Sequence, residues 1–222
     1  MHLRLFFLLA WIVPAALHAQ PAGSSELQVR FLAERAPGDL GDVVLAVEET
    51  RSPPFKLPIN HLSIPQTPPA RAFDVWSVDK KVSLAKVGLP ENGKSFIVLL
   101  VPSPTGGFKP VIISAEDPSF KAGDVYLYNH ADKAVLGYVG SAKFVLNAST
   151  GTVLRPAGAT ENLYYDVGFG VREKEGDRVL STTRWPIDKN MRSYVFFFLN
   201  PTTKRLDFRA VDEFMPPARA AN

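Results

Sequence analysis

Cysteine is absent from the 222 residues, and histidine is scarce at four. Without cysteine there is no disulfide framework, no thiol-attached lipid and no cysteine-ligated copper site, so the folded state rests on apolar burial. Charge of one sign is also lacking. Lys and Arg number 25 against 22 Asp and Glu, a net charge of +3, and no cluster of five or more bases occurs. That balance argues against a nucleic-acid partner. No window of 11 or more residues keeps an apolar stripe at helical spacing, and no run after the N-terminus is apolar enough to span a bilayer, so no integral membrane segment is expected there.

What the chain does have begins at its N-terminus. Met1–Arg4 is a short basic start, and Leu5–Val13 (LFFLLAWIV) is an unbroken apolar run. Such a run is too short for a bilayer core of about 30 Å, which needs roughly 20 residues. It has the form of a signal-peptide core, broken by Pro14, with cleavage expected after Ala19. Residues 1–19 are therefore read as a signal peptide and the mature protein as periplasmic or secreted.

Proline and glycine, 19 and 15 in number, punctuate the whole chain. Between them lie short β-branched and aromatic stretches, which predict an all-β fold. Strands are expected at 27–32, 43–47, 72–78, 95–101, 111–114, 125–129, 143–146, 164–171, 178–183, 193–199 and 206–211. Two runs, Phe96–Val101 (FIVLLV) and Tyr194–Leu199 (YVFFFL), have no polar side, so each predicts a central strand covered on both faces. Residues 53–69 carry six prolines (Pro53, Pro54, Pro58, Pro65, Pro68 and Pro69) and predict a loop or an edge.

A faint internal repeat runs through these segments. Val29 and Phe31 match Val125 and Leu127; Leu40 and Gly41 match Leu136 and Gly137; Phe73–Val75 matches Tyr165–Val167; Ser95 and its apolar run match Ser193 and its run; and Pro90 matches Pro186. The implied architecture is two tandem immunoglobulin-like β-sandwich domains, at 20–116 and 117–222, with a linker near Glu116–Ala122. One large β-sandwich is the alternative.

Chemistry-bearing motifs are few. Gly88–Ser95 (GLPENGKS) spells a phosphate-binding loop, but that loop needs a helix after it, and FIVLLV follows. A turn is the better reading, and no nucleotide is expected. Only His61 and His130 would remain after signal removal, and neither stands at metal-ligand or triad spacing. No GxSxG, HExxH or calcium-loop pattern occurs. The adjacent acids Glu48–Glu49, Glu116–Asp117 and Asp212–Glu213 would point to opposite faces of a strand and are read as solvated pairs. No enzyme, metal or cofactor is expected. Residues for ligand contact are sought among the rings and their flanks: Trp185 with its neighbour Arg184, and then Tyr128 and Trp76; the alternative for Trp185 is a lid over the second core with Arg184 stacking on it.

The segment Gly123–Pro156, with STTRWP at Ser181–Pro186 and YVFFFL, resembles a set of uncharacterised exported bacterial β-sandwich proteins. The resemblance covers the second half better than the first. It implies bacterial export and a β-fold, and carries no assigned activity or site residues. The resulting expectation is a non-enzymatic binding or structural protein of the cell envelope, acting through protein contacts. The alternative is a carbohydrate-binding module, and a hydrolase stands third. An envelope protein or an extracellular glycan would be the partner.

Overall fold

Alternating side chains and frequent turn residues produce strands throughout, and no helix, in a computed structural model that describes residues 26–160 and 163–216. The expected signal peptide lies outside the described residues. The first half contains β1 (Gln28–Ala33), β2 (Asp42–Val47), the short β3 (Thr50–Arg51) and β4 (Phe55–Lys56), β5 (Ala72–Ser77), β6 (Val82–Gly88), β7 (Ser95–Pro102) and β8 (Phe108–Ser114). The second contains β9 (Val125–Asn129), β10 (Val135–Val139), β11 (Ala142–Leu146), β12 (Thr150–Leu154), β13 (Tyr164–Glu173), β14 (Gly176–Pro186), β15 (Met191–Leu199) and β16 (Leu206–Phe214).

Each half forms two sheets. In the first, β1-β7-β8 is the inner sheet and β3-β2-β5-β6, with β4 on β2, the outer; in the second, β12-β9-β15-β16 is inner and β11-β10-β13-β14 outer. Each inner sheet holds one parallel pair, β1 with β7 and β9 with β15. The connectivity of β1, β2, β5, β6, β7 and β8 recurs as β9, β10, β13, β14, β15 and β16.

Three apolar layers separate the four sheets. Phe31, Leu45, Phe73, Val75, Phe96 and Val98 fill the first half, and Leu127, Val135, Val167, Phe169, Val195 and Phe197 fill the second. A third layer joins them: Leu32, Ile97, Leu99 and Ile113 of one inner sheet meet Tyr128, Tyr194, Phe196 and Val211 of the other. The two solid apolar runs thus become the central strands β7 and β15, covered on both faces. Phe96, Val98 and Leu100 turn outward within their half, while Ile97, Leu99 and Val101 enter the shared seam.

Register corrects one detail of the sequence match. Val29 stands opposite Phe96, and Val125 opposite Ser193. The two runs therefore correspond one residue away from the match of Ser95 with Ser193. A one-residue slip exchanges the faces of a strand, so only the structural correspondence puts Phe96, Val98 and Leu100 in the same role as Ser193, Val195 and Phe197.

The joining segment is packed into the seam. Phe120 is 2% exposed, lies edge-on to Tyr194 at 5.4 Å and carries the Arg192 guanidinium over its ring at 4.6 Å. Arg192 is itself 1% exposed; its Nε donates to Glu213 Oε2 at 2.5 Å, and Tyr194 Oη donates to the same oxygen at 2.6 Å. Arg30 of β1 reaches the other Glu213 oxygen across the seam. Glu213 is therefore buried, against its reading as half of a solvated pair; its strand neighbour Asp212 points the other way and is exposed. Burial raises the Glu213 pKa, but the Arg192 and Tyr194 hydrogen bonds and the two guanidinium charges outweigh it and hold the carboxyl below its usual range.

Candidate functional site

The β14 strand ends in Trp185 and Pro186, and a turn built on Asp188, whose side chain accepts the Asn190 amide at 2.8 Å, leads into β15 at Met191. Trp185 stands opposite Tyr165 of β13 and packs edge-to-face on Phe169 at 5.7 Å. Phe169 in turn meets Phe197 at 5.0 Å and Phe208 at 4.9 Å, so Trp185 closes one end of the aromatic core of the second half. It is half-buried there. Beside it opens a cleft of about 330 Å³ whose walls include Tyr165, Trp185 and Met191 and whose polar groups include Asp188, Ser193 and Asp212.

Two carboxylates in this cleft have fixed settings. Asp124 accepts two parallel bonds from Arg155 Nε and Nη2, each 2.7 Å, and the Lys121 amide at 2.8 Å. Burial raises its pKa, yet the Arg155 and Lys121 bonds and the Arg155 charge bring it net below the usual aspartate value. Asp212 accepts the Ser193 hydroxyl at 2.5 Å. Asp188 and Asp212 each carry one internal hydrogen bond, and a carboxylate has room for more.

The four residues singled out for ligand contact do not converge. Arg184, next to Trp185 on the strand, points to the opposite face. Its guanidinium lies 4.7 Å above the Tyr164 ring and its Nε 3.3 Å from Asp166, so it stacks on Tyr164 and not on Trp185. Tyr128 is 3% exposed within the seam; burial, and then the Glu34 charge, raises its pKa. Trp76 lies half-buried on the outer face of the first half, opposite Val44 and Ser83. Of the four, Trp185 alone lines the cleft.

The histidines are separate too. His61 sits exposed in the proline-rich segment, its Nδ1 2.7 Å from Asn60 Oδ1. His130 follows β9, and its Nδ1 meets Glu34 Oε2 at 2.6 Å. Among the described residues, no three His, Cys, Asp or Glu side chains gather as a metal ion would need. Arg71, just before β5, donates to the carbonyls of Pro90 and Gly93 in the loop between β6 and β7, holding GLPENGKS as a turn between two strands.

A second feature lies on the outer face of the second half. Leu136 stands between Val145 and Gly170, and Gly170 stands opposite Val179, so Val145, Leu136, Gly170 and Val179 form one row across the sheet. Val145 is 57% and Val179 69% exposed. Tyr138 lies beside the row across Gly168, where an added Cβ would stand 2.4 Å from the ring. The row ends at β14, an 11-residue strand that among the described residues pairs with β13 alone. Salt bridges at Asp177, Arg178 and Arg184 all turn back to β13. They leave Val179–Thr183 an uncharged stretch of edge.

Sequence reasoning located Trp185 through its place at a strand end. It missed Asp188, Ser193 and the row, because each depends on which strands become neighbours. Searches against protein-family models and against curated proteins found no match to the chain.

Proposed function

We propose that this is a non-enzymatic, exported binding protein of the bacterial cell envelope, built as two immunoglobulin-like sandwich units and acting through protein contacts on the outer sheet of its second half. The observation that carries this reading is the exposed apolar row from Val145 to Val179 that runs out onto an edge of β14 with no partner strand among the described residues. An open edge offers backbone donors and acceptors to an extended partner segment, and apolar side chains beside it supply the contact area. The opposite outer sheet is more polar on its outer face, where Ser83 donates to Asp74 at 2.6 Å, and its exposed valines, Val78 and Val82, are less exposed than Val145 and Val179. Export rests on the basic start and apolar run of residues 1–13.

A photo-crosslinking residue placed at Val179 tests this. In envelope extract it captures a defined protein band, and the same residue at Lys56 on the other outer sheet does not. With the crosslinker kept at Val179, the substitution Val145→Glu at the other end of the row abolishes capture while leaving the circular dichroism unchanged. Equal capture from both positions, or none from Val179, overturns the proposal. The carbohydrate alternative falls at a different place, the cleft beside Trp185 at the end of β14, and leaves the Val179–Thr183 edge free to act.

A further inference from the structure

We propose that the cleft beside Trp185 is a binding site for a neutral saccharide, independent of the protein contact at β14. Its volume of about 330 Å³ falls at the low end of small-molecule clefts, roughly 300–1,000 Å³. One wall is aromatic and apolar, from Trp185, Tyr165 and Met191. The polar groups free to meet a ligand are the Ser193 hydroxyl, the Asp188 and Asp212 carboxylates and the Lys189 ammonium, beside Asp124, which Arg155 holds.

This pairing selects a class of ligand. The C–H face of a pyranose packs on an aromatic ring, and its hydroxyls are donors that seek fixed acceptors. A purely apolar ligand would bury Asp188 and Asp212 without replacing their water, an unfavourable exchange. An acidic sugar or a phosphate would face those two carboxylates with Lys189 as the cation lining the cleft. Asp124, the third carboxylate there, has its charge met by Arg155, and Lys189 offsets one of the other two, so the cleft keeps a small net negative charge that draws a cation only weakly. A hydroxyl-rich neutral ligand satisfies both halves of the lining.

The lining of the cleft is also pre-organised. Ser193 sits on β15 and Asp212 opposite it on β16, so their 2.5 Å bond is held by strand pairing. Asp188 is fixed by its own turn. Trp185 is held by Phe169. Acceptors and ring are thus in place before a ligand arrives, which lowers the ordering cost of binding.

Titration of the full chain by isothermal calorimetry tests the site, with glucose, galactose, mannose, N-acetylglucosamine and their disaccharides as probes, and glucuronate and glucosamine as charged counterparts. At least one neutral sugar is expected to bind saturably and more tightly than its charged counterpart. Trp185→Ala and Asp212→Asn each weaken it at least about tenfold, whereas Trp76→Phe leaves it unchanged. Asp188→Ala, which removes one hydrogen bond of an exposed turn and leaves the core untouched, is expected to weaken binding as well. No saturable neutral sugar, tighter binding of a charged one, or unchanged affinity in Asp188→Ala and Asp212→Asn overturns the proposal. Crosslinking at Val179 reads the protein contact separately, so either proposal fails without the other.

Discussion

The two halves protect the same strand edge by different means. In the second half the outer edge of β9 is paired along its whole length by the β-strand β12, with Thr150 opposite Asn129 and Leu154 opposite Val125. In the first half the corresponding edge of β1 is covered by the proline-rich segment. There the Val29 amide donates to Gln66 O at 2.9 Å and the Ala33 amide to Pro58 O at 2.9 Å, while Phe31, between them, donates to the side chain of Ser63 at 3.0 Å. Prolines lack a donor and cannot form a full ladder, so a serine hydroxyl stands where β12 supplies a carbonyl. The comparison teaches that an edge is closed by any chain that meets its buried backbone groups, whether or not that chain is a strand.

The largest expected effect concerns the seam that ties the halves together. Glu213→Ala leaves Arg192 buried without its carboxylate and removes the partner of Arg30 and Tyr194, so stability falls by about 3–5 kcal/mol. Because Leu32, Leu99, Tyr194 and Phe196 share one apolar layer, urea unfolding of the wild type is expected as a single transition seen alike by probes in both halves. Two separated transitions would show that the halves are held apart as independent units.

Next is the strap itself. Ser63→Ala strands the Phe31 amide in a buried setting and lowers stability by about 1–3 kcal/mol. The counterpart Thr152→Ala, an exposed side chain in a strand whose pairing is made by backbone, changes the urea midpoint by less than about 0.5 kcal/mol equivalent. Equal effects would erase the distinction between strap and strand.

The smallest effect is in acid. The Asp124 pKa is depressed in the folded state despite burial, so its ionised form stabilises the fold above the ordinary unfolded value of about 3.9 and that contribution is lost as pH falls through the folded value. Arg155→Ala is therefore expected to lower the urea midpoint at pH 7 and to have little effect well below the folded pKa. A loss of the same size at both pH values would show that Arg155 acts by packing alone.

Much of the fold was legible because two-residue alternation is a local signal. FIVLLV and YVFFFL, apolar on both sides, could only be interior strands, and they are β7 and β15. The strand β12 (TGTVL) was not legible, since it has no buried face of its own and exists through its backbone pairing with β9. Trp185 was visible as a ring at a strand end. Its neighbours in the cleft were not: Asp188 arrives from a turn, and Ser193 and Asp212 from a strand pair. The row from Val145 to Val179 crosses four strands, and register across strands is not written in any one of them.

By itself the sequence determined an all-β chain with two doubly covered central strands and no cysteine to brace it. Tertiary structure alone decided that those strands share a middle layer, that Glu213 is buried while Asp212 is exposed, and that Trp185 faces a cleft. Alternation states which side chains lie together on a face. What that face meets is set by the stacking and pairing of segments distant in the chain, and that is where burial, charge pairing and binding surfaces arise.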